Sequence, residues 1–332
     1  MQPRRVILVG AGGMGRAWAK NLIACPGVQL AGWVDVLKDR VTGAAAELGL
    51  NVSTGNDLEA AIEQLAPDFV VDVTSPEAHH EVTLLALRHG LPVLGEKPMA
   101  ASMTEARELV RASEEAGALF MVSQNRRYNP QLAAMRRLIG AHAEPLIVLL
   151  SDFYLGPRFG GFREGMASPL LLDMAIHTFD AARYLSASDP VSVYCSEFNP
   201  PWSWYRGNAC ANAIFTMTGG VRYLYRGSWC ARGHVTRWDG RWRAEGRTTV
   251  SWDGATDPTV HLAARDDLLS EEPERIDTNV RRDIAGSLHE FLDALDSGRT
   301  PMGECHDNIK SLAMVFAALE SAATQQPVSI EL

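Results

Sequence analysis

Three glycines follow an apolar run near the start of the chain, in the stretch VGAGGMGRAWA, with the spacing Gly10-x-Gly12-x-x-Gly15. The run Arg5–Gly10 predicts a β-strand, and the residues after Gly15 predict a helix. Glycines here permit a tight turn and let a pyrophosphate approach backbone N–H groups, while the positive end of the helix dipole attracts the phosphates. The pattern predicts a dinucleotide-binding βαβ unit. The alternative is a glycine-rich turn that only packs the helix on the strand.

Asp35 supports the same prediction. It lies twenty residues beyond Gly15, at the end of the next predicted strand, where a carboxylate binds ribose hydroxyls and repels a 2′-phosphate. NAD is therefore the expected cofactor, although Lys38 and Arg40 leave room for NADP. The cofactor-binding candidates in this stretch are Gly10, Gly12, Gly13, Met14, Gly15, Asp35 and Arg40.

The order of predicted elements indicates an α/β fold with two domains. At 332 residues the chain exceeds the usual size of a single hydrophobic core. Amphipathic stretches such as Glu77–His89 and Thr104–Ala116 separate the apolar runs of residues 1–124, which predicts a Rossmann domain, that is, a doubly wound parallel sheet with helices on both faces. The predicted strands are Arg5–Gly10, Val28–Asp35, Phe69–Thr74, Leu91–Glu96 and Ala118–Ser123.

From residue 125 onward the pattern changes. A strand is predicted at Leu146–Tyr154, several more lie between Val191 and Asp253 with glycine-rich turns, and two helices follow at Asp283–Asp296 and Asp307–Ala323. This order predicts an α+β domain over residues 125–332 with a large, mostly antiparallel open sheet. We interpret the polar stretch Ala264–Arg275 as a surface loop or edge.

Composition disfavours several classes of protein. The chain contains no run of roughly 18 apolar residues and begins directly with a strand, so we expect neither a membrane span nor a secretory signal, and a cytoplasmic location. The net charge of −9 disfavours nucleic acid as a partner. The five cysteines are scattered without a C-x-x-C pair, so we expect reduced, mostly buried thiols and no metal site.

Lys97 directly follows the predicted strand Leu91–Glu96. In an open doubly wound sheet, ligands bind beyond the carboxyl ends of the strands, so we expect this lysine to project into the binding crevice. A positively charged nicotinamide and partial desolvation should lower its pKa toward the range useful for proton transfer. The alternative is a solvated surface lysine at a strand end.

A second informative stretch is SPLLLDMAIHTFDAARYL, which predicts a buried helix with Ser168 as its N-cap. Asp173, His177 and Asp180 are spaced i, i+4 and i+7 on one face of that helix. Burying three ionisable groups costs several kcal/mol unless they are paired or line a wet cleft. We expect a cleft that His177 shares with Lys97; the alternative is a core histidine bonded to a neighbouring aspartate.

The glycine turn, TSPEAHHE and above all Glu96-Lys97-Pro98 resemble the glucose-fructose oxidoreductase / inositol dehydrogenase (Gfo/Idh/MocA) family. The resemblance implies that Lys97 contacts the substrate hydroxyl and the nicotinamide ribose, that the Lys97–Pro98 bond is cis and that Glu96 anchors the turn. It also implies that His177 is the general acid/base and that Asp173 contacts substrate or tunes His177. We assign Asp180 to structure.

Further site residues are implied by the same resemblance, which covers essentially the whole chain. The cofactor set gains Thr74, Ser75, Pro76, His79, Glu96, Lys97, Pro98 and Asn125, and the substrate set is Lys97, Arg126, Asp173 and His177. We add Arg158, Phe162 and Arg163 to the substrate set because they follow the predicted strand Leu146–Tyr154 in a glycine-rich loop close to the expected cleft; the alternative is that this loop is a mobile lid. The chain departs from the family at Met166–Pro169, where a glycine-rich run is usual. Because this departure lies where substrate should bind, it leaves the identity of the substrate open.

Trp and Tyr residues alternate with arginines between Trp202 and Trp252. Such a sheet face is typical of a subunit interface and also of carbohydrate stacking. In the resembled family the open sheet face makes the subunit contact, so we expect most of these aromatic residues at the interface of a homodimer or homotetramer.

Together these features predict a cytoplasmic NAD(P)-dependent dehydrogenase. It would oxidise a secondary hydroxyl of a sugar, an inositol-like cyclitol or a related polyol, with proton transfer through Lys97 and His177. Three alternatives remain: a reductase of a non-sugar small molecule, a glycosidase that retains NAD, and a sensor that binds NAD and sugar without turnover. A sensor would have no need for Lys97 and His177 together.

Overall fold

The protein, described by a computed structural model over residues 2–263, 268–270 and 281–332, folds into two compact units. The first comprises Met1–Asn125 with Arg281–Ile309, and the second comprises Arg126–Val280 with Lys310–Leu332. The predicted division at residues 124 and 125 differs from this arrangement in one segment, because Arg281–Ile309 belongs to the first unit. None of the helices in the described ranges is both long and apolar enough to span a bilayer.

The first unit is built on a parallel sheet whose strand order is β3-β2-β1-β4-β5-β6. The strands of the sheet are β1 (Arg4–Val9), β2 (Val28–Val34), β3 (Ser53–Gly55), β4 (Phe69–Asp72), β5 (Val93–Glu96) and β6 (Phe120–Ser123). Helices α1 (Gly13–Ala24), α2 (Lys38–Glu47), α3 (Leu58–Leu65), α4 (Pro76–Arg88) and α5 (Met103–Ala116) connect them. This confirms the predicted doubly wound fold; β3, only three residues long, was not predicted.

The order of strands in this sheet determines where a ligand can bind. β1 pairs with β2 on one side and with β4 on the other, so the chain winds away from β1 in both directions. The side chains of Val6, Ile7 and Leu8 are fully buried, as expected for a parallel sheet covered on both faces. The carboxyl ends of β1 and β4 therefore flank the crevice in which such folds bind ligands.

The second unit is built on a nine-stranded sheet in the described part of the chain, with the order β14-β13-β12-β11-β7-β10-β9-β8-β15. Every paired neighbour is antiparallel except β7 with β10, which confirms the predicted mostly antiparallel sheet. The strands are β7 (Val148–Tyr154), β8 (Pro190–Phe198), β9 (Cys210–Met217), β10 (Arg222–Ser228), β11 (Arg241–Glu245), β12 (Thr249–Trp252), β13 (Thr259–Ala263), β14 (Leu268–Ser270) and β15 (Val328–Ser329). The predicted loop Ala264–Arg275 lies outside the described residues except for β14.

Four more α-helices lie in the described ranges. They are α6 (Pro130–Leu138), α7 (Ile176–Ser186), α8 (Asp283–Ser297) and α9 (Cys305–Thr324), and the chain passes from the first unit to the second within α9, after Ile309. Helix α8 belongs to the first unit because the Phe291 ring packs on Phe69 of β4 with centroids 5.4 Å apart. Arg4 and Asp296 form an ion pair of 2.6 Å beside this contact.

The helix predicted from Ser168 differs from the expectation at its start. Leu170–Ala175 forms a π-helical turn, and regular α-helix begins only at Ile176. The Ser168 hydroxyl does not cap the helix; it donates a hydrogen bond of 2.9 Å to Glu197 Oε1. Such π-turns shift the side chains that follow them and recur at functional sites.

Successive side chains along the strands of the second unit point alternately to a buried face and to an outer face of the sheet. The rings of Tyr223 and Tyr225 on β10 and Phe215 on β9 pack around Phe179 of α7, with centroids 4.8–6.2 Å apart. Leu224, between the two tyrosines, points to the opposite face.

The predicted place of the aromatic residues at an interface is therefore wrong for most of them. Trp229, Trp242 and Trp252, like Tyr205, Tyr223 and Tyr225, are buried within the unit itself, whereas Trp202 and Trp238 are half exposed. The period of two places Tyr223, Tyr225 and Trp242 on the helix-covered face, where large rings fill the core. All five cysteines are free and buried, as predicted.

Candidate functional site

The glycine turn lies between the end of β1 and the start of α1. A side chain at Gly10, whose φ is +100°, would collide with the carbonyl of Val73, and one at Gly15 would collide with the carbonyl of Gly10. These two glycines are therefore required for backbone packing. Gly12 and Gly13 are exposed, and a Cβ at either position would meet no protein atom within 4 Å. That open space in front of the first N–H groups of α1 fits a pyrophosphate.

Asp35 holds this turn to the end of β2. Its carboxylate is 5% exposed; Oδ2 accepts the backbone N–H of Ala11 at 2.7 Å, and Oδ1 accepts that of Leu37 at 2.9 Å. Each oxygen retains a second lone pair for a ribose hydroxyl. Arg40 Nη1 lies 3.6 Å from Oδ1, so the predicted acidic and basic residues meet at this point. Val36, 82% exposed, is an apolar residue beside them that sequence reasoning did not single out.

The turn from β4 to α4 carries Thr74, Ser75 and Pro76, and a buried polar cluster supports it. Asp72 Oδ1 accepts the Thr74 hydroxyl at 2.6 Å and lies 3.1 Å from Nδ1 of His79. Burial alone would lower the pKa of His79, but the Asp72 carboxylate outweighs it, and the pKa is raised. His79 is only 2% exposed. These contacts give it a role in the turn, and its place among the cofactor-binding residues stays a prediction.

Glu96 is the last residue of β5, and a cis peptide bond joins Lys97 to Pro98. The Glu96 side chain is 8% exposed; Oε1 accepts the indole N–H of Trp18 at 2.7 Å, and Oε2 accepts the backbone N–H of Lys97 at 3.2 Å. Burial raises the pKa of Glu96, and these two N–H groups oppose that rise. Lys97 itself is half-buried.

Trp18 is a residue that sequence reasoning missed. It is fully buried in α1, three residues beyond Gly15. The chemical signal that could have found it is that a buried indole carries one N–H that needs an acceptor, and Glu96 is one of two acidic residues, with Asp35, at the ends of the predicted strands.

In the second unit the structure brings three of the predicted site residues together. Arg163 Nε donates to Asp173 Oδ2 at 2.7 Å, and the Arg163 guanidinium lies 4.7 Å from the centre of the Phe162 ring. Asp173 lies in the π-helical turn, and His177, 8% exposed, lies in the first turn of α7. Arg158, from the same glycine-rich loop as Arg163, stacks on Trp204 at 4.5 Å.

Asp180 has partners of a different kind. Both of its carboxylate oxygens accept N–H groups of Arg127, at 2.7 and 2.8 Å, and Oδ1 also accepts the Ser311 hydroxyl. Asp180 and Arg127 are both buried. The bidentate pair and the added hydroxyl satisfy the buried carboxylate, and removing either partner would leave an unpaired buried charge, which agrees with the structural role assigned to Asp180.

Asn125 and Arg126 begin a short 3₁₀ turn, Asn125–Tyr128. The Arg126 guanidinium is buried: it donates to the Trp238 carbonyl at 2.9 Å, lies 3.4 Å from Asp239 and stacks over the Phe153 ring. These contacts hold Arg126 within the core of the second unit, and its predicted contact with substrate stays a prediction.

One group of ligand-type side chains stands outside these sites. In the ranges that the structure describes, Glu304, Cys305 and His306 bring their ligand atoms within 4.8 Å of one another. Glu304 Oε1 accepts the Cys305 thiol at 2.9 Å and lies 2.7 Å from His306 Nδ1, and Glu114 lies 2.8 Å from His306 Nε2. The thiol and the imidazole thus each have a hydrogen-bond partner among these carboxylates.

Comparison with known proteins agrees with both units. The family described as "Oxidoreductase family, NAD-binding Rossmann fold" (Gfo/Idh/MocA) matches residues 4–124, and the Gfo/Idh/MocA C-terminal domain matches residues 156–250. The two matches together span more than half of the chain.

Individual relatives match over nearly the whole chain. The 1,5-anhydro-D-fructose reductase of Ensifer adhaerens is 25% identical over 98% of each chain. The inositol 2-dehydrogenase of Rhizobium meliloti is 25% identical over 97% of this chain and 98% of the relative. The solved structure of an oxidoreductase from Agrobacterium radiobacter in complex with NAD+, L-tartaric acid and magnesium has a TM-score of 0.87 at 21% identity, over 99% of both chains, which shows the same fold.

Replacing Asp35 with alanine should weaken NAD binding more than NADP binding. The variant loses the carboxylate that is predicted to bind the ribose, and hydrogen bonds to a charged group contribute roughly 1.5–3 kcal/mol, which is about ten- to hundredfold in affinity. NADP loses less because the negative charge that repels its 2′-phosphate is also removed. Fluorescence titration with each cofactor measures the ratio of the two Kd values. Asp39→Ala, an exposed acidic residue in α2, is the control, and an unchanged ratio for Asp35→Ala would show that the carboxylate does not reach the ribose.

Proposed function

From the premise that this chain belongs to the Gfo/Idh/MocA family of NAD-binding oxidoreductases, we propose that it oxidises a secondary hydroxyl of a sugar, cyclitol or related polyol, or reduces the corresponding ketone. One observation carries the proposal. A lysine follows β5 directly, at the end of the sheet where the glycine turn forms the cofactor site, and a buried glutamate holds its backbone. The relatives named for an inositol and for an anhydrosugar support this class of substrate.

Bound NAD supplies the hydride acceptor for such an oxidation. The residues of the chain must then bind the hydroxyl and remove its proton. Lys97 carries donors for the hydroxyl oxygen and, when neutral, accepts a proton from it. His177 is the second group assigned to proton transfer, since an imidazole titrates near neutral pH. We assign the proton of the reacting hydroxyl to these two residues.

Asp173 and the loop residues are assigned to substrate orientation. The Arg163–Asp173 ion pair is partly exposed, with 35% of the arginine and 12% of the aspartate side chain accessible. An arginine held by a carboxylate still offers further N–H donors, and these suit the hydroxyl oxygens of a polyol. Arg158 and Phe162 belong to the same glycine-rich loop, and aromatic faces suit the C–H faces of a sugar ring. The proposal places substrate against this loop.

The outer face of the second unit's sheet supports a proposal on assembly. Tyr194, Ile214, Leu224 and Leu150 are register partners on β8, β9, β10 and β7, and we call them the apolar row. Tyr194 is 42% and Ile214 51% exposed. In the neighbouring row, Arg226 and Asp152 form a bidentate ion pair. An apolar strip beside polar groups is typical of a subunit interface, so we assign this face to a second copy of the chain.

Lys97→Ala should abolish NAD-dependent oxidation. The experiment follows the absorbance of reduced nicotinamide across a panel of inositols, aldoses, ketoses and anhydrosugars, with NAD and NADP in parallel. Wild-type protein should give a signal with at least one polyol, and the variant should give none while still binding NAD. Lys20→Ala, an exposed lysine on α1, should behave as wild type. The absence of an absorbance signal from wild-type protein with every compound of the panel, or full activity of Lys97→Ala, would contradict the proposal.

His177→Ala should lower kcat by roughly 10²–10⁴-fold, the usual contribution of a general acid/base, and should flatten the pH dependence of the rate. The matched control is His142→Ala, a half-buried histidine of the same unit whose backbone carbonyl accepts the Thr248 hydroxyl. Steady-state rates from pH 5 to 10, with the substrate found in the panel, measure both effects. An unaltered pH profile in His177→Ala would remove this residue from proton transfer.

Ile214→Glu should dissociate the oligomer. The substitution places a charge in the centre of the apolar row, where an interface would bury it without a partner. Sedimentation velocity compares its mass with that of wild type, and Ile23→Glu is the control because Ile23 on α1 is 49% exposed, close to the 51% of Ile214. A monomeric wild type, or an oligomer that survives Ile214→Glu, would count against this interface.

A further inference from the structure

Trp18 and Lys97 are joined through one buried carboxylate. The indole N–H of Trp18 donates to Glu96 Oε1 at 2.7 Å, while Glu96 Oε2 accepts the backbone N–H of Lys97 at 3.2 Å. We propose that Trp18 is a positioning residue for Lys97, because its N–H fixes the carboxylate that holds the lysine's turn. This inference rests on the proposed role of Lys97 in the reaction.

The position of Trp18 in α1 connects the hydrogen bond to Glu96 with the glycine turn. The helix opens at the glycine turn, and Trp18 lies three residues beyond Gly15, fully buried. One rigid helix therefore presents its first N–H groups to the pyrophosphate site and its indole N–H to Glu96. A lysine that must meet the cofactor and a hydroxyl within hydrogen-bond reach needs such support, since small displacements of reacting groups cost large factors in rate.

The charge of Glu96 depends on the groups that face it. Burial raises the pKa of Glu96; the Trp18 N–H, the charge and backbone N–H of Lys97 and the nearby His79 all oppose that rise. His79 is itself paired with Asp72 on β4. Removing the indole N–H takes away the hydrogen bond that opposes the effect of burial, so less of Glu96 remains ionised at a given pH.

The interaction of Glu96 with Lys97 is reciprocal. If the charge of Lys97 favours the carboxylate, the carboxylate favours the ammonium form of the lysine by the same free energy. A carboxylate that is protonated or displaced stabilises that ammonium less, and more of the lysine is then present as the reactive amine. This gives a readout on Lys97 that needs no substrate and no turnover.

Trp18→Phe tests the inference, with Trp33→Phe as its matched control. Trp33 is also fully buried in the first unit, and its indole N–H donates to the Gly10 carbonyl at 2.9 Å. Both variants lose one indole N–H from the same core, but only Trp18→Phe takes it from Glu96. Circular dichroism and NAD titration show whether each variant is folded.

The first readout is the rate at which an amine-reactive anhydride labels Lys97 in the full-length protein, followed by peptide mass spectrometry. The chain has four lysines, Lys20, Lys38, Lys97 and Lys310, and the exposed Lys20 and Lys38 serve as internal references. The rate at Lys97 relative to these references should rise roughly threefold in Trp18→Phe and should not change in Trp33→Phe.

The second readout is the acid limb of the pH profile of kcat/KM. Lys97 accepts the proton in its neutral form, and a carboxylate that is protonated or displaced stabilises the ammonium form less, so the limb moves to lower pH. Trp18→Phe should move it downward by about half a pH unit, the equivalent of a threefold change. Trp33→Phe is expected to alter NAD affinity through the glycine turn and to leave this limb unmoved. A purely structural role for Trp18 would lower kcat without moving the limb.

Unchanged labelling of Lys97 together with an unmoved acid limb in Trp18→Phe would overturn the inference. If Trp18→Phe does not fold, Glu96→Gln takes its place, since it keeps an acceptor for the indole and removes the charge. Labelling of Lys97 must then rise relative to wild type, and an equal rate would equally overturn the inference. A failure of the proposed function is separate: it appears as turnover that survives Lys97→Ala, whereas the labelling experiment does not depend on turnover.

Discussion

A carboxylate taken out of water must be hydrogen-bonded where it lies, and two such groups organise the ligand end of the first unit. Glu96 at the end of β5 accepts N–H groups from α1 and from Lys97. Asp35 at the end of β2 accepts the backbone N–H of Ala11 in the glycine turn. Because an unpaired buried carboxylate is very costly, each one fixes the backbone that supplies its donors. The glycine turn and the lysine turn are therefore held by the same kind of interaction.

In the second unit, α7 packs on one face of a wide sheet, and the other face is open. The aromatic side chains of β9 and β10 face Phe179 of α7, and the apolar row faces outward. The bidentate pair of Arg127 with Asp180 joins the 3₁₀ turn before α6 to α7. The partly exposed Arg163–Asp173 pair joins the glycine-rich loop to the turn before α7. Two of the residues proposed for the reaction, Asp173 and His177, thus lie in the continuous helical segment that runs into α7, which favours precise positioning.

Much of the fold and the position of the glycine turn could be predicted from the sequence, because the local sequence pattern and the structure agree there. Continuous apolar runs marked the buried parallel strands, and the glycine spacing marked the first turn.

The short strand β3 was missed because three residues carry too little pattern. Helix α8 was placed in the wrong unit because its partner, Phe69, lies more than 200 residues away in the chain. The aromatic residues were assigned to the wrong face because composition does not give register. Trp18 escaped notice because its importance lies in a contact with Glu96 that no spacing reveals.

We propose that the turn after β5 presents Lys97 to the reacting hydroxyl. A crystal structure of the full-length protein with NAD and a polyol substrate, trapped at a pH that slows turnover, tests this placement. We expect Lys97 Nζ within about 3.2 Å of the oxygen on the carbon that faces the nicotinamide, with Glu96 still bonded to Trp18. A lysine directed away from that oxygen, with other side chains in contact with it, would contradict the proposal.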